Sequence, residues 1–408
     1  MIDELLVAFD IGASKISAAV AKVDDLKDMH VIAVTSVDNY GISKSVVSSM
    51  EEIVESISKC KNKLEELIGF SISEAYLSIH GGLCEIVDSK GSLDISGDGR
   101  LVTSKDIENL RNSTKQISLP ADKEIIWLSP VHYISDNYED MKEPVGFKSK
   151  AIALEAKLFV VNSLLLARMK ECMELADIKV KDVIPQPVAL KGFIDERGNE
   201  IISAGIIDIG AETIDLSVYE KGCICYTKHI PLGGNSITRD LSVCLNVSFA
   251  DAEKIKRRYN KKLPDDEVVS NEEDKLIQIS KDKSGMIQEI IEARVDELLT
   301  FALDELNSVK NLLKFDCFYI TGSGILHYQS NIDSFSKEMD KPITSIKDSF
   351  SEAEDSIYCV PIGVLREAVA SMVVNKNQTE KLGSLSKDDN RSTKSIITKL
   401  KQFIEDFL

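Results

Sequence analysis

Positive charge is what this sequence has too little of: 49 lysines and arginines stand against 67 aspartates and glutamates, for a formal net charge of -18. A protein that tracks nucleic-acid phosphates needs a basic face, so no nucleic-acid partner is expected. Long apolar runs are missing too. No stretch of about 18 apolar residues occurs, and the opening Met-Ile-Asp-Glu lacks the basic start and long apolar core of a signal peptide. A cytoplasmic chain is the expectation. Paired cysteines are also scarce. Eight are scattered, with Cys223 and Cys225 as the one close pair and no second pair at zinc-ligand spacing. That pattern excludes a disulfide framework and reads as free thiols in a reducing compartment.

What remains is 43% hydrophobic and 28% charged, the profile of a globular protein, and 408 residues are too many for one core. Leu5–Phe9 and Ile16–Val23 are apolar runs flanking an Asp10–Lys15 turn, and they predict a hairpin. Apolar residues at helical spacing predict a helix over 48–68, and Ala75–Ile79 predicts a strand ending at Gly81-Gly82. Between 83 and 160 short alternating stretches surround a polar helical segment at 104–116. Pro120, Pro130 and Pro144 punctuate this region. It reads as an inserted α+β domain.

From 201 the pattern begins again. Asp10-Ile-Gly-Ala13 recurs as Asp208-Ile-Gly-Ala211, 198 residues later, and the alignment also places Ile16 on Ile214 and Ser17 on Asp215. That distance is domain-sized and implies two similar α/β lobes rather than a solenoid. The expected boundaries are a first lobe at 1–82 and 161–195, the insertion at 83–160, and a second lobe at 196–374. The second lobe contains a helical subdomain at about 246–312, and a polar linker at 375–394 leads to a terminal amphipathic helix at 395–408.

A strand–Asp-x-Gly–strand turn directs backbone N–H groups into its concavity, where they suit a phosphate, and glycine permits close approach. An aspartate at the strand end can orient waters around Mg²⁺. One such turn alone is an ordinary β-turn. Two with matching flanks, and a third glycine turn at Thr321-Gly322-Ser323-Gly324 after a strand, suggest a clamp on a polyphosphate.

With these motifs the chain resembles the superfamily of actin, sugar kinases and DnaK-type chaperones, and within it the FtsA family of bacterial division proteins. Asp10-Ile-Gly-Ala-Ser-Lys resembles the first phosphate motif, Asp208-Ile-Gly-Ala-Glu-Thr the second and Thr321-Gly-Ser-Gly the adenosine motif. Pro185-Gln-Pro-Val and Pro361-Ile-Gly-Val resemble the interdomain connectors. Pro130-Val-His-Tyr-Ile, Glu143-Pro-Val-Gly and Ile230-Pro-Leu-Gly-Gly-Asn are similar to FtsA in particular, as is the position of the insertion. The resemblance implies an actin-like (ribonuclease H-like) duplicated two-lobe α/β fold with a small α+β inserted domain.

It also implies ATP and Mg²⁺ as cofactors. Asp10 and Asp208 would order the Mg²⁺ waters, and Gly12, Ala13, Ser14 and Lys15 would meet the phosphates from the first lobe. Gly210, Ala211, Glu212 and Thr213 would do so from the second, with Gln186 and Asp208 near the attacking water. Gly233, Gly234, Gly322, Ser323 and Gly324 would give backbone access to nucleotide, and Glu253 and Lys256 would hold the ribose. For Glu253 and Lys256, three apart on one helix face, a plain ion pair is an open alternative. Three residues depart from the family pattern. Glu212 stands where glycine is usual, Ser323 replaces a second glycine, and Gln329 lies where a later glycine is common. A carboxylate aimed at the terminal phosphate would repel it, so binding with slow hydrolysis at most is expected.

Ile396, Ile397, Leu400, Phe403, Ile404 and Phe407 form one apolar stripe at helical spacing after the polar linker. This predicts an in-plane membrane anchor, with a docked C-terminal helix as the alternative. The resemblance implies a cell-division role at the cytoplasmic face of the membrane, at the septum. The partners it implies are the FtsZ C-terminal tail, further copies of the chain in a polymer and other division proteins. A PilM-type scaffold with another partner, or a small-molecule kinase of the superfamily, remain alternatives. A kinase would need a catalytic carboxylate for its acceptor hydroxyl, and no separate candidate stands out.

Overall fold

The computed structural model describes residues 4–24, 28–43, 46–136, 138–194, 203–220, 222–261, 278–279, 281–310, 315–325, 328–347 and 356–372. The linker and terminal helix expected at 375–408 lie outside them, as does most of the charged stretch 260–273. Chain contacts separate one compact unit, residues 1–87, 119–127 and 159–367, from a second that holds 88–118 and 128–158 together with the residues from 368 on.

The first unit opens with the hairpin that the apolar runs predict. Strands β1 (Glu4–Ile11) and β2 (Lys15–Val23) pair antiparallel, with Asp10 opposite Ser17 and Ile11 opposite Ile16. β3 (Met29–Asp38) continues the meander, and a small hairpin of β4 (Ile42–Ser43) and β5 (Val46–Val47) follows. Helix α1 (Met50–Ile68) starts where Ser49 accepts the Glu52 N–H and stops at Gly69, whose φ of 76° suits a residue with no Cβ. Its Ile53, Ile57, Cys60 and Leu64, at i, i+4, i+7 and i+11, are buried against β2 and β3. β6 (Glu74–Ile79) then pairs parallel with β1.

In the inserted segment, β7 (Glu85–Asp94), β8 (Arg100–Leu101) and α2 (Ser104–Thr114) precede β9 (Lys123–Ser135), β10 (Tyr138–Met141), β11 (Lys148–Ser149) and β12 (Ala151–Asn162). The main sheet has the order β10-β9-β12-β7, and β11 pairs with β8. Pro130, expected to punctuate the alternating stretches, lies inside one strand, β9. The pairs with β10 reach no further than Tyr133, so that side of the ladder asks no donor of Pro130. α2 begins with a reciprocal capping box between Thr103 and Asp106, and Arg100 grips the same carboxylate with both terminal nitrogens at 2.7 and 2.8 Å.

Helix α3 (Ser163–Leu175), β13 (Lys179–Pro185) and the short α4 (Gln186–Lys191) complete the first lobe and form the connector. The second lobe repeats the plan with β14 (Ser203–Ile209), β15 (Ile214–Glu220), β16 (Cys223–Ile230), α5 (Asn235–Leu245), α6 (Phe249–Lys261), α7 (Ser284–Lys310), β17 (Cys317–Thr321), α8 (Gln329–Met339) and β18 (Ile343–Ser345), before α9 (359–372). The first sheet runs β3-β2-β1-β6-β13 and the second β16-β15-β14-β17-β18. In both, three antiparallel strands are extended by two parallel ones. The repeated tetrapeptide therefore marks a repeated lobe. Ile207, Ile209, Leu216 and Val218 of the second sheet share a core with Ile291, Val295 and Leu298 of α7. Burying each of these large side chains contributes about 1.5–3 kcal/mol.

Candidate functional site

The two Asp-Ile-Gly-Ala turns close in the same way. Gly12 N–H donates to the Lys15 carbonyl at 2.9 Å, and Gly210 N–H donates to the Thr213 carbonyl at 2.9 Å. Both turns line one cavity, whose walls include Asp10, Gly12, Ala13, Ser14 and Lys15 from the first lobe and Asp208, Gly210, Ala211, Glu212 and Thr213 from the second. Gln186, Gly322 and Ser323 line it as well. Apolar walls come from Leu165 and Met169 on α3 and from Ile357 and Val360.

Five of the expected nucleotide residues, Gly233, Gly234, Glu253, Lys256 and Gly324, are not among the residues that line this cavity. Gly233, Gly234 and Gly324 pack against the back of the second turn: Gly234 N–H donates to the Gly210 carbonyl at 2.9 Å, Gly324 N–H to that of Ile209 at 2.8 Å. A methyl on Gly233 would come within 2.6 Å of the Gly210 oxygen. These glycines brace the turn. Lys256 of α6 is buried, and its ammonium spends three bonds inside the protein, on Glu253 Oε2 at 2.7 Å, Thr238 Oγ1 at 2.8 Å and the Gly234 carbonyl at 3.2 Å. Burial pulls the lysine down from its ordinary range; burial also works against a charged Glu253, but the Lys256 charge and the hydrogen bonds from Lys256, Thr238 and Arg257 together outweigh it and hold that carboxyl low.

Three residues that carry no role in the motifs converge on the cavity. Asp215, at the register position opposite Asp208, accepts from Thr213 Oγ1 at 2.9 Å and from His229 Nδ1 at 2.9 Å. His80, the residue after β6, turns its Nδ1 to 3.9 Å from Asp215 Oδ2. Gly82 lets this corner close, since a methyl there would lie 2.1 Å from His229 Nδ1. A histidine just before the Gly81-Gly82 turn was the one trace of this in the sequence. Asp215 stands in the sequence only as a polar position of an alternating strand, aligned with Ser17 of the first lobe.

Electrostatically the site is strained in favour of a cation. Burial, and then the Asp215 charge, push Asp208 up to about 7, although Gln186 donates to its Oδ2. Burial raises Asp10 too, and its Oδ1 is buried with no hydrogen-bond partner. Burial works against a charged His80, but Asp10, Asp215 and Asp208, with a contribution from Gln186, outweigh it and raise the imidazole above its usual range. His80 Nε2 is likewise buried without a partner. Gln186 is held by its own bonds, donating to Asp208 and accepting the Gly81 N–H at 3.2 Å. Tyr219 of β15 donates to the Pro187 carbonyl at 2.5 Å and ties the second sheet to the connector. All eight cysteines are free thiols.

The comparisons with known proteins agree with this architecture. The family model described as "Cell division protein FtsA" matches residues 205–408, and "SHS2 domain inserted in FTSA" matches 81–162. The cell division protein FtsA of Pseudomonas aeruginosa is 24% identical over 98% of this chain and 98% of its own length. That of Bacillus subtilis is 27% identical over 75% of this chain and 70% of its own. Among solved structures, the PilM–PilN type IV pilus biogenesis complex is similar with a TM-score of 0.57 at 14% identity, over 89% of this chain and 98% of that one. The ethanolamine utilization protein EutJ of Carboxydothermus hydrogenoformans gives 0.52 at 14%, over 89% and 90%. At that identity these two share the fold.

Proposed function

The chain belongs to the FtsA family of cell division proteins, and from that premise we propose that it is an ATP-binding, polymerising adaptor that holds FtsZ filaments at the cytoplasmic face of the cell membrane. The observation that carries the nucleotide half of this reading is the pair of identically closed turns on one cavity. The residues present fit Mg·ATP. The turns offer glycine backbone to phosphate, and the orphaned Asp10 oxygen is an acceptor waiting for a donor such as a cation-bound water. Among the described residues no three His, Cys, Asp or Glu side chains could ligate a metal together, so Mg²⁺ would sit behind waters ordered by Asp10 and Asp208. Mg²⁺ would neutralise phosphate charge there.

Ser14 and Lys15 would act from the first turn, and Ala211, Glu212 and Thr213 from the second. A ligand held by both fixes one lobe against the other, so the nucleotide becomes a control on shape. Gln186, engaged with Asp208 and Gly81, is poorly placed to orient an attacking water, which supports slow turnover. The test is thermal unfolding with and without Mg·ATP; no protection refutes the binding claim.

The membrane half rests on the apolar stripe at 396–407, since no helix among the described residues is long and apolar enough to span a bilayer. Without a Trp and with few basic residues, that helix binds weakly per copy and gains from a polymer. Deleting residues 395–408 should abolish co-sedimentation with anionic vesicles; unchanged sedimentation refutes the anchor. A PilM-type scaffold shares the fold, and capture by an FtsZ C-terminal tail peptide separates the two readings. Recruitment of other division proteins at the septum follows from the family role.

A further inference from the structure

We propose that His80 is an additional phosphate-binding residue of this cleft, donating from Nε2 to the last phosphate of a nucleoside triphosphate and so separating triphosphate from diphosphate. This rests on the nucleotide-binding reading above.

The geometry begins with the ring's two nitrogens. Nδ1 faces a carboxylate, Asp215, whose two oxygens are already oriented by Thr213 and His229. At 3.9 Å Asp215 Oδ2 makes no hydrogen bond to the ring, but a carboxylate can only accept, so its charge favours the proton on Nδ1. Nε2 is buried and has no partner, and it lies 3.9 Å from where a Cβ on Gly12 would be. It is therefore a polar atom beside the first phosphate turn with its bond unmade, and such an atom is costly unless something arrives to complete it.

Charge decides what arrives. Four carboxylates line the cavity: Asp10, Asp208, Asp215 and Glu212. The basic side chains that line it are Lys15, His80 and His229, and the Nδ1 of His229 is committed to Asp215. A triphosphate entering this field needs more positive charge than Lys15 brings, and an imidazolium with a free Nε2–H supplies both charge and donor. A cation as the unaided occupant would leave Nε2–H unsatisfied. Nε2 lies beside Gly12 of the first phosphate turn, and both residues line the cavity. The part of a nucleotide that reaches furthest from the sugar is its last phosphate, and ADP lacks that group.

The experiment is calorimetric titration of Mg·ATP and Mg·ADP into the full chain, its His80→Ala form and its His80→Gln form. A lost charge-assisted hydrogen bond weakens binding about 10- to 100-fold. ATP affinity should fall by that factor in His80→Ala, while ADP affinity changes by less than about 3-fold, the size of an indirect effect. His80→Gln keeps an N–H donor without charge and should lie between; it also carries the test if His80→Ala does not fold. Equal losses for ATP and ADP would make His80 a structural residue and overturn the proposal, as would unchanged ATP binding. A wild-type chain that binds neither nucleotide overturns the nucleotide-binding reading itself, and this inference with it.

Discussion

Replacing Gly322 by alanine should open the cleft, and its size can be worked out against an internal control. Gly322 has a φ of 93°, and a Cβ there would lie 2.3 Å from Asp208 Oδ1 and 2.3 Å from the Ile209 carbonyl oxygen. Gly69, at the end of α1, has a φ of 76° with nothing within 4 Å of its Cβ position. Gly69→Ala therefore reports the conformational penalty alone, about 1–2 kcal/mol. Gly322→Ala carries that penalty plus an overlap with backbone, which cannot rotate away, for about 1–3 kcal/mol more. For lobes of this size each kcal/mol lowers the melting temperature by about 2–4 °C. Gly69→Ala should lose about 2–8 °C and Gly322→Ala about 4–20 °C, with the second clearly the larger. The second assay is nucleotide protection. Gly322→Ala displaces Asp208 and should remove the Mg·ATP-dependent rise in melting temperature, whereas Gly69→Ala should keep it. Equal melting shifts in the two variants would refute the packing argument, and intact ATP protection in Gly322→Ala would refute the role given to this turn.

Three further outcomes follow from the same structure. Lys256→Met breaks a buried ion pair but leaves Glu253 to Arg257 and Thr238, so it should cost about 2–4 kcal/mol in denaturant unfolding. If Lys256 is an internal strut, ATP affinity measured well below melting should change by less than about 3-fold, since a tenfold loss is 1.4 kcal/mol of direct contact. Glu212→Gly removes a carboxylate from the phosphate side of the cavity and should tighten Mg·ATP binding in calorimetry; weaker binding would show that Glu212 helps the site. Asp106 is held well below the ordinary carboxylate range, first by Arg100 and then by Thr103. Its contribution is thus full above the unfolded value near 4 and is lost as pH falls through the lower folded value. Asp106→Asn should lower the melting temperature at pH 7, and the gap to wild type should close in melts taken progressively below pH 4.

Much of the fold was legible because its signals are local. The Asp10 and Asp208 turns, the Ile53–Leu64 face of α1 and the alternation of Ile214–Val218 each encode an element within a few residues, and the recurrence of the turn encodes the second lobe. Pro130 misled locally, because whether a strand can hold a proline depends on how far its neighbour pairs, and that is a property of the sheet.

The candidate site divides the same way. The sequence by itself determined that two phosphate-type turns exist, which glycines stand near them and that the chain resembles FtsA. Tertiary structure alone decided which groups share the cavity. It brings His80 from the end of β6, Asp215 from β15 and His229 from β16 into one corner, residues that are up to 149 positions apart. It also turns Lys256 inward onto three partners and places Gly233, Gly234 and Gly324 behind the turn. The physical reason is that backbone turns and hydrophobic periods are set by neighbours in the chain, whereas the charge and hydrogen bonds of a buried group are set by whatever the fold packs against it.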